Sequence, residues 1–189
     1  MEIDESIAQV GQKLDAWWDE LSAMLYSEDR VAQGKALLHG FEIVKEFDRI
    51  KADGLAAITA LMTHHDSMTS DERAALLIRG FAFAAKLADT LHDEFSDVDG
   101  ETKVAHLMFA IANALDAIGS GRAALAVLLD NPDPSVRASA GAYLIKLMPD
   151  RVIPILHDIE QNEHANSAHF TAYWTLLRWD REGKHAAKD

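Results

Sequence analysis

The strongest structural signal in the chain is a polar turn that follows an apolar segment, Leu128-Leu129-Asp130-Asn131-Pro132-Asp133-Pro134-Ser135-Val136-Arg137. Asp133 can cap a helix that begins at Pro134, because a proline at the first helical position sacrifices no hydrogen bond. The apolar residues that follow recur at helical spacing: Val136, Ala140, Tyr143, Leu144 and Leu147. The turn therefore predicts a short apolar helix over residues 121–130 and a second helix that ends before Pro149.

A similar pair of segments follows in the chain. Residues 122–129 match residues 151–158 at an offset of 29. At an offset of 32, four residues match four others: Ser135, Ala140, Leu144 and Lys146 with Ser167, Ala172, Leu176 and Arg178. Two helix pairs about thirty residues apart are typical of a stacked helical repeat, in which each pair buries its apolar face against its neighbour.

Residues 121–182 resemble short HEAT-like repeats, and roughly residues 82–183 resemble a family of small bacterial HEAT-like domains. The resemblance rests on the turn quoted above, on Ala138, Ala140 and Leu144, and on the run Gly121-Arg122-Ala123-Ala124-Leu125. The second repeat departs from the pattern, since Ala168-His169 stands where Val-Arg is expected. The resemblance implies a right-handed stack of helical hairpins with a binding surface, and it implies no substrate.

The first hundred residues also have helical periodicity. A heptad stripe predicts a first helix: Ile3, Ile7, Val10, Leu14, Trp17, Leu21 and Met24. This stripe can pack within the chain as a bundle helix, or it can form a dimerisation seam. A second helix is expected from Asp29 to about Ala52, ended by Gly54, with a short helix over residues 55–63 and a loop over residues 64–68.

The middle of the chain predicts two further helices. Thr69 and Glu72 form a capping box, which places a helix start there. Its buried seam is expected to be Leu77, Phe81, Ala84, Ala88, Leu91 and Phe95. After a break over residues 97–100, a helix with Val104, Met108, Ile111, Leu115 and Ile118 inside should end at residues 119–121. We thus predict an all-α protein, with an acidic N-terminal helical bundle region (1–80) packed on a HEAT-like repeat region (81–189), the two forming either separate domains or one continuous domain.

Composition excludes several classes of protein. The 189 residues carry a formal net charge of −13, which argues against nucleic-acid binding, because a nucleic-acid binder needs a basic surface. The chain has no cysteine, so disulfides, thiol nucleophiles and thiolate metal sites are excluded. Its first residues are acidic where a signal peptide is basic, and no apolar run approaches the roughly 18 residues of a membrane span. We expect a cytoplasmic protein without membrane contact.

The negative charge is concentrated in the first half. Residues 1–100 contain 20 acidic residues against 9 lysines and arginines, whereas residues 101–189 contain 11 against 9. Six acidic residues crowd one helix end and its loop, either as a solvated surface that serves solubility or as a negative docking patch: Asp89, Asp93, Glu94, Asp97, Asp99 and Glu101. Trp174 and Trp179 lie five apart on different faces of the last helix. They can be buried anchors, or one of them can be an exposed contact for a partner. We assign partner binding to the six acidic residues with Trp174 and Arg178.

No pattern for chemistry emerges. His64, His65 and Asp66 could hold a metal ion, but an exposed loop explains the same residues, so we predict no metal site. Residues 95–106 fail as a calcium loop, since Phe95 and His106 fall where acids are needed. No phosphate-binding glycine loop or nucleophile motif occurs, and we predict no catalytic residues and no cofactor.

Three classes of function follow from these observations. The first is a non-enzymatic protein-interaction module, most specifically an immunity-type inhibitor of a basic bacterial effector or toxin. The second is a HEAT-like enzyme of the lyase type that uses an apolar groove. The third is a regulatory scaffold that self-associates through residues 3–24. The sequence favours the first class and leaves open whether the chain is a monomer or a dimer.

Overall fold

A computed structural model describes residues 2–25, 40–63, 68–93, 97–119, 121–163 and 166–186. All regular structure in these ranges is helical, which confirms the predicted all-α class for the described part of the chain. Its elements are α1 (Glu2–Leu25), α2 (Gly40–Thr63), α3 (Ser70–Asp93), α4 (Val98–Ala117), a 3-10 helix (Arg122–Asp130), α5 (Pro134–Leu144), α6 (Pro149–Asn162) and α7 (Ser167–Ala186).

The chain divides into two compact units, Met1–His64 and His65–Asp189. The division falls before α3, whereas the sequence predicts a boundary after residue 80. Helix α3 runs without interruption through that position, so residues 70–80 share a helix with residues 81–93. The expected packing of residues 1–80 on the repeat region stays a prediction.

The first unit pairs α1 with α2. Val10, Leu14 and Trp17 of the heptad stripe are buried, and the rings of Trp17 and Phe47 lie 5.0 Å apart. These three positions therefore pack within the chain, as a bundle helix requires. The side chains of Ile3, Ile7, Leu21 and Met24 lie outside the described set.

Helix α2 corrects one expectation. Gly54 does not end a helix; it is buried inside α2, which continues to Thr63. A glycine costs a helix interior only about 1 kcal/mol relative to alanine. The apolar face continues past Gly54 through buried Ala57 and Ile58, and this burial outweighs the cost. The predicted start at Asp29 lies outside the described residues.

The second unit contains three consecutive helical pairs in its described part: α3 with α4, the 3-10 helix with α5, and α6 with α7. Each pair contacts the next one along the chain, and α3 also reaches α7. Their shared core includes the fully buried side chains Leu77, Phe81, Leu87, Leu91, Ile111, Leu115, Leu125, Leu129, Val136, Leu144, Val152 and Leu156. The pairing fits stacked helical hairpins, whereas the HEAT-like resemblance itself stays a prediction.

Local capping explains where these helices begin. The Thr69 backbone N–H donates to Glu72 Oε2 at 2.9 Å, and the Glu72 N–H donates to Thr69 Oγ1 at 3.3 Å, which completes the predicted capping box. The Ser135 N–H donates to Asp133 Oδ1 at 2.9 Å, with Pro134 at the first position of α5, as predicted. Gly119 and Gly121 have φ of +77° and +65°, so a left-handed backbone follows α4.

Three details differ from the prediction. The apolar segment before the turn is a 3-10 helix, in which Leu125 and Leu128 fall three apart on one buried face. The expected break over residues 97–100 is instead the start of α4: Asp97 caps it and Val98 is its first residue. Leu147 follows the end of α5 and is 55% exposed, because the helix ends at Leu144 and no later turn holds Leu147 on the buried face.

Candidate functional site

The predicted acidic cluster lies where the end of α3 meets the start of α4. We call Asp89, Asp93, Asp97, Asp99 and Glu101 the acidic corner. Glu94, the sixth residue of the predicted cluster, lies outside the described residues.

Two carboxylates of the acidic corner cap helices. Asp97 Oδ1 accepts a hydrogen bond from the Gly100 N–H at 2.9 Å and so caps α4. Asp93 caps α7 from another helix: the Ser167 N–H donates to its Oδ1 and Oδ2 at 3.0 and 3.1 Å. Negative charge at a helix N-terminus is favourable because the helix dipole is positive there. These two carboxylates therefore have a structural role in addition to any role in binding.

Glu101 lies beside a histidine. His92 Nδ1 and Glu101 Oε2 are 3.2 Å apart, and both side chains are partly exposed. Asp99 is exposed in the first turn of α4. The outer side of the acidic corner thus presents charge to solvent, as binding of a basic partner requires.

Asp89 is half-buried, and its Oδ1 atom is inaccessible to solvent. Burial, and after it the nearby carboxylates of Asp93 and Asp133, raise the pKa of Asp89 to about 7, against the lowering effects of Ser167 and His92. Its Oδ1 atom has no hydrogen-bond partner among the described residues. Asp89 therefore holds a proton in mildly acidic solution, in which an ordinary aspartate is ionised.

Trp174 lies beside the acidic corner. It is 60% exposed on α7, and Phe170, one turn earlier, is 44% exposed. Together they line a groove of about 580 Å³, which we call the corner groove; its other lining residues are His92, Glu101, Ser167, Thr171 and Thr175. The structure thus brings Trp174 together with Glu101 across more than seventy residues of sequence.

Arg178 lines a different depression. We call it the aromatic groove; its volume is about 610 Å³, and its lining residues are Phe109, Arg122, Ala142, Tyr143, Ile145, Lys146, Leu147, Thr175, Arg178, Trp179 and Glu182. Arg178 Nε donates to Glu182 Oε1 at 2.8 Å, and Lys146 Nζ lies 2.7 Å from Glu182 Oε2. These two contacts hold the pKa of the Glu182 carboxyl below its ordinary value. Arg178 is therefore separate from the acidic corner.

Sequence reasoning missed several residues of these grooves. Phe109 follows Met108 of the buried α4 stripe but points out of it, and it is 56% exposed. Phe170 precedes Trp174 by four residues, a spacing that places both on one helix face and could have revealed the pair. Tyr143 was assigned to the buried face; it packs on Phe81 with ring centroids 5.2 Å apart and also reaches the aromatic groove.

The described ranges bring no three His, Asp or Glu side chains into a metal-binding arrangement. The His64-His65-Asp66 candidate lies outside those ranges. No described helix combines the length and the apolar character that a membrane crossing requires. Comparison with protein-family models, curated proteins and solved structures found no match to this chain.

Proposed function

We propose that this chain is a non-enzymatic module that binds a basic protein through the acidic corner and the exposed aromatic face of α7. The observation that carries the proposal is the position of Trp174 and Phe170 on a groove that Glu101 also lines. Large exposed aromatic side chains supply much of the binding energy of protein interfaces. The neighbouring carboxylates add long-range attraction for a positive partner.

In its most specific form, the proposal is an immunity-type inhibitor that covers a basic effector. An inhibitor of this kind gains from fast association, and a concentrated negative field raises the association rate. The charge asymmetry of the sequence and the clustering of Asp97, Asp99 and Glu101 at one helix start support this form.

Binding kinetics with the basic partner test the proposal. The partner is isolated with the full chain as bait, purified, and measured by surface plasmon resonance from low to high salt. Trp174→Ala should weaken binding at least about tenfold, mainly through faster dissociation. Asp99→Asn should slow association about twofold to threefold, an effect that disappears at high salt because exposed charges are screened.

Two matched variants serve as controls. Val127→Ala truncates another exposed apolar side chain, which is 62% exposed on the 3-10 helix, and should leave binding unchanged. Asp150→Asn removes an exposed carboxylate from the first turn of α6 and should leave the association rate unchanged. An association rate that is independent of salt, or binding that tolerates Trp174→Ala, would contradict the proposal.

A further inference from the structure

The corner groove and the aromatic groove adjoin, and we call the two together the trench. Both are lined by Thr175, so they meet on α7. Helix α4 contributes Glu101 to the corner groove and Phe109 to the aromatic groove, and α7 contributes Phe170 to the former and Glu182 to the latter. From the corner groove to the aromatic groove, the residue numbers of the lining thus rise on both helices.

The length of the trench follows from α7. From Phe170 to Glu182 the helix rises about 18 Å at 1.5 Å per residue. A helix needs about three turns to span this distance, and its diameter of about 10 Å suits a trench between two helices. A segment of about twelve helical residues would fill it.

The charge of the trench changes sign along its length. At one end Glu101 lies beside Asp97 and Asp99 of the acidic corner. At the other end Lys146 and Arg178 share a single carboxylate, that of Glu182, so one positive charge remains there. Arg122 also lines this end and is paired with Asp116. A complementary occupant is basic at one end and acidic at the other.

Three aromatic side chains line the trench. Phe109 and Trp174 are 56% and 60% exposed, and Trp179 lines the aromatic groove together with Phe109. A helix satisfies its own backbone hydrogen bonds, so it can lie on apolar side chains without unpaired polar groups. A β-strand would need backbone partners from a strand edge, and the described ranges contain no strand.

We propose that the trench binds one amphipathic helix of the basic partner, with apolar side chains against Phe109, Trp174 and Trp179. The helix places basic residues next to the acidic corner and acidic residues next to Lys146 and Arg178. This inference rests on the proposed function, because it describes the segment that the partner inserts.

Designed peptides test the helix directly. Four fluorescein-labelled peptides of sixteen residues share leucines at helical spacing. The mixed-charge peptide has lysines at one end and glutamates at the other, the all-lysine peptide has lysines at both ends, and the all-glutamate peptide has glutamates at both ends. The fourth, the proline peptide, is the mixed-charge peptide with a central proline. In fluorescence polarisation with the full chain, the mixed-charge peptide should bind most tightly. Its affinity should exceed that of the all-lysine peptide about threefold or more, and those of the other two peptides about tenfold.

A charge reversal in the protein supplies the decisive variant. Lys146→Glu makes the far end of the trench negative, so the all-lysine peptide should now bind more tightly than the mixed-charge peptide. Lys103→Glu, at an exposed position of α4 outside the trench lining, should leave the original ranking unchanged. Unchanged ranking in Lys146→Glu, or equal binding of the proline peptide, would overturn the inference.

A second measurement does not depend on the folding of a charge variant. Because the chain has no cysteine, Leu147→Cys and Val127→Cys can each carry one environment-sensitive dye. The mixed-charge peptide should shift the emission of the dye at residue 147, in the aromatic groove, and not at residue 127. No shift at residue 147, or dimers in light scattering that Phe109→Ala dissociates, would overturn the inference, the latter in favour of a second copy of the chain.

Binding of the basic partner to variants of the chain distinguishes this inference from the proposed function. If Trp174→Ala weakens partner binding but Phe109→Ala and Lys146→Glu do not, the proposed function stands and the full-length helix is wrong. If no basic partner binds at all, the proposed function fails, and the peptide ranking still decides whether the trench accepts a helix.

Discussion

At the scale of single residues, Asp89 is the most unusual group in the described chain. Its carboxyl lies among Asp93 and His92 of its own helix, Asp133 before α5 and Ser167 of α7. Lys86, one turn earlier on α3, reaches Asp133 Oδ2 at 3.7 Å. Charged and polar groups of α3, of α7 and of the turn before α5 therefore act on the Asp89 carboxyl, and its protonation is coupled to the packing of these segments.

The raised pKa of Asp89 makes the free energy of unfolding depend on pH in a defined direction. The folded chain binds the Asp89 proton more tightly than the unfolded chain, in which the pKa has its ordinary value near 4. This contribution is complete below about pH 4 and is lost as the pH rises through about 7. Ionised Asp89 therefore destabilises the folded chain in mildly alkaline solution.

Asp89→Asn tests this contribution. The neutral amide avoids the cost of burying a charge, so the variant should exceed the parent protein by about 2 kcal/mol in free energy of unfolding at pH 8. The difference should disappear toward pH 4. Urea denaturation across the pH range measures it, and Asp99→Asn, at an exposed position, should show no such trend. A parent protein as stable at pH 8 as at pH 4 would contradict this account.

At the scale of the elements, helix starts depend on a few hydrogen bonds. Asp133 Oδ1 accepts from both the backbone N–H and the hydroxyl of Ser135, at 2.9 and 2.6 Å. Arg137 adds a second brace, because its Nη1 donates to the backbone carbonyls of Asn131 and Pro132. The turn before α5 is thus held by its own side chains, which is why its sequence is informative.

Asp133→Ala should lower the free energy of unfolding by about 1 kcal/mol, since the first turn of α5 loses its cap. Chemical denaturation at pH 5.5, below the pKa of Asp89, separates the loss of the cap from any change in the ionisation of Asp89. Asp180→Ala, which removes an exposed carboxylate from within α7, is the matched control and should change stability little. Equal stability of the two variants would show that the cap contributes nothing.

The same local logic predicted most elements of the chain. The capping box at Thr69 and Glu72 and the cap at Asp133 involve residues within three positions of each other, and their partners are visible in the sequence. The Asp93 cap was not predictable, because its partner, the N–H of Ser167, lies 74 residues away. The prediction that Gly54 ends a helix is wrong for a related reason, because burial of Ala57 and Ile58 carries the helix past it.

At the scale of the whole molecule, the two units differ in the size of the core that their described helices form. The core of the second unit comes from its own six helical segments, from Leu77 and Phe81 of α3 to Leu176 of α7. The first unit has only two helices in its described part, and two helices bury little surface.

A fragment of residues 65–189 should therefore fold alone and unfold cooperatively on heating. A fragment of residues 81–189 should not, because it loses the first half of α3 with buried Ala74, Leu76 and Leu77. Circular dichroism melts of the two fragments test both the independence of the unit and the position of its boundary. Cooperative melting of the shorter fragment would favour the boundary expected from the sequence.

The sequence alone determined the helical class, the start of α3 and α5, the end of α4 and most of the buried stripe positions, because each depends on backbone hydrogen bonds and apolar spacing within a few residues. Tertiary structure decided the burial of Asp89, the meeting of Glu101 with Trp174, and the exposure of Phe109 and Leu147. These properties depend on desolvation and on contacts between residues far apart in the chain, and no local pattern encodes them.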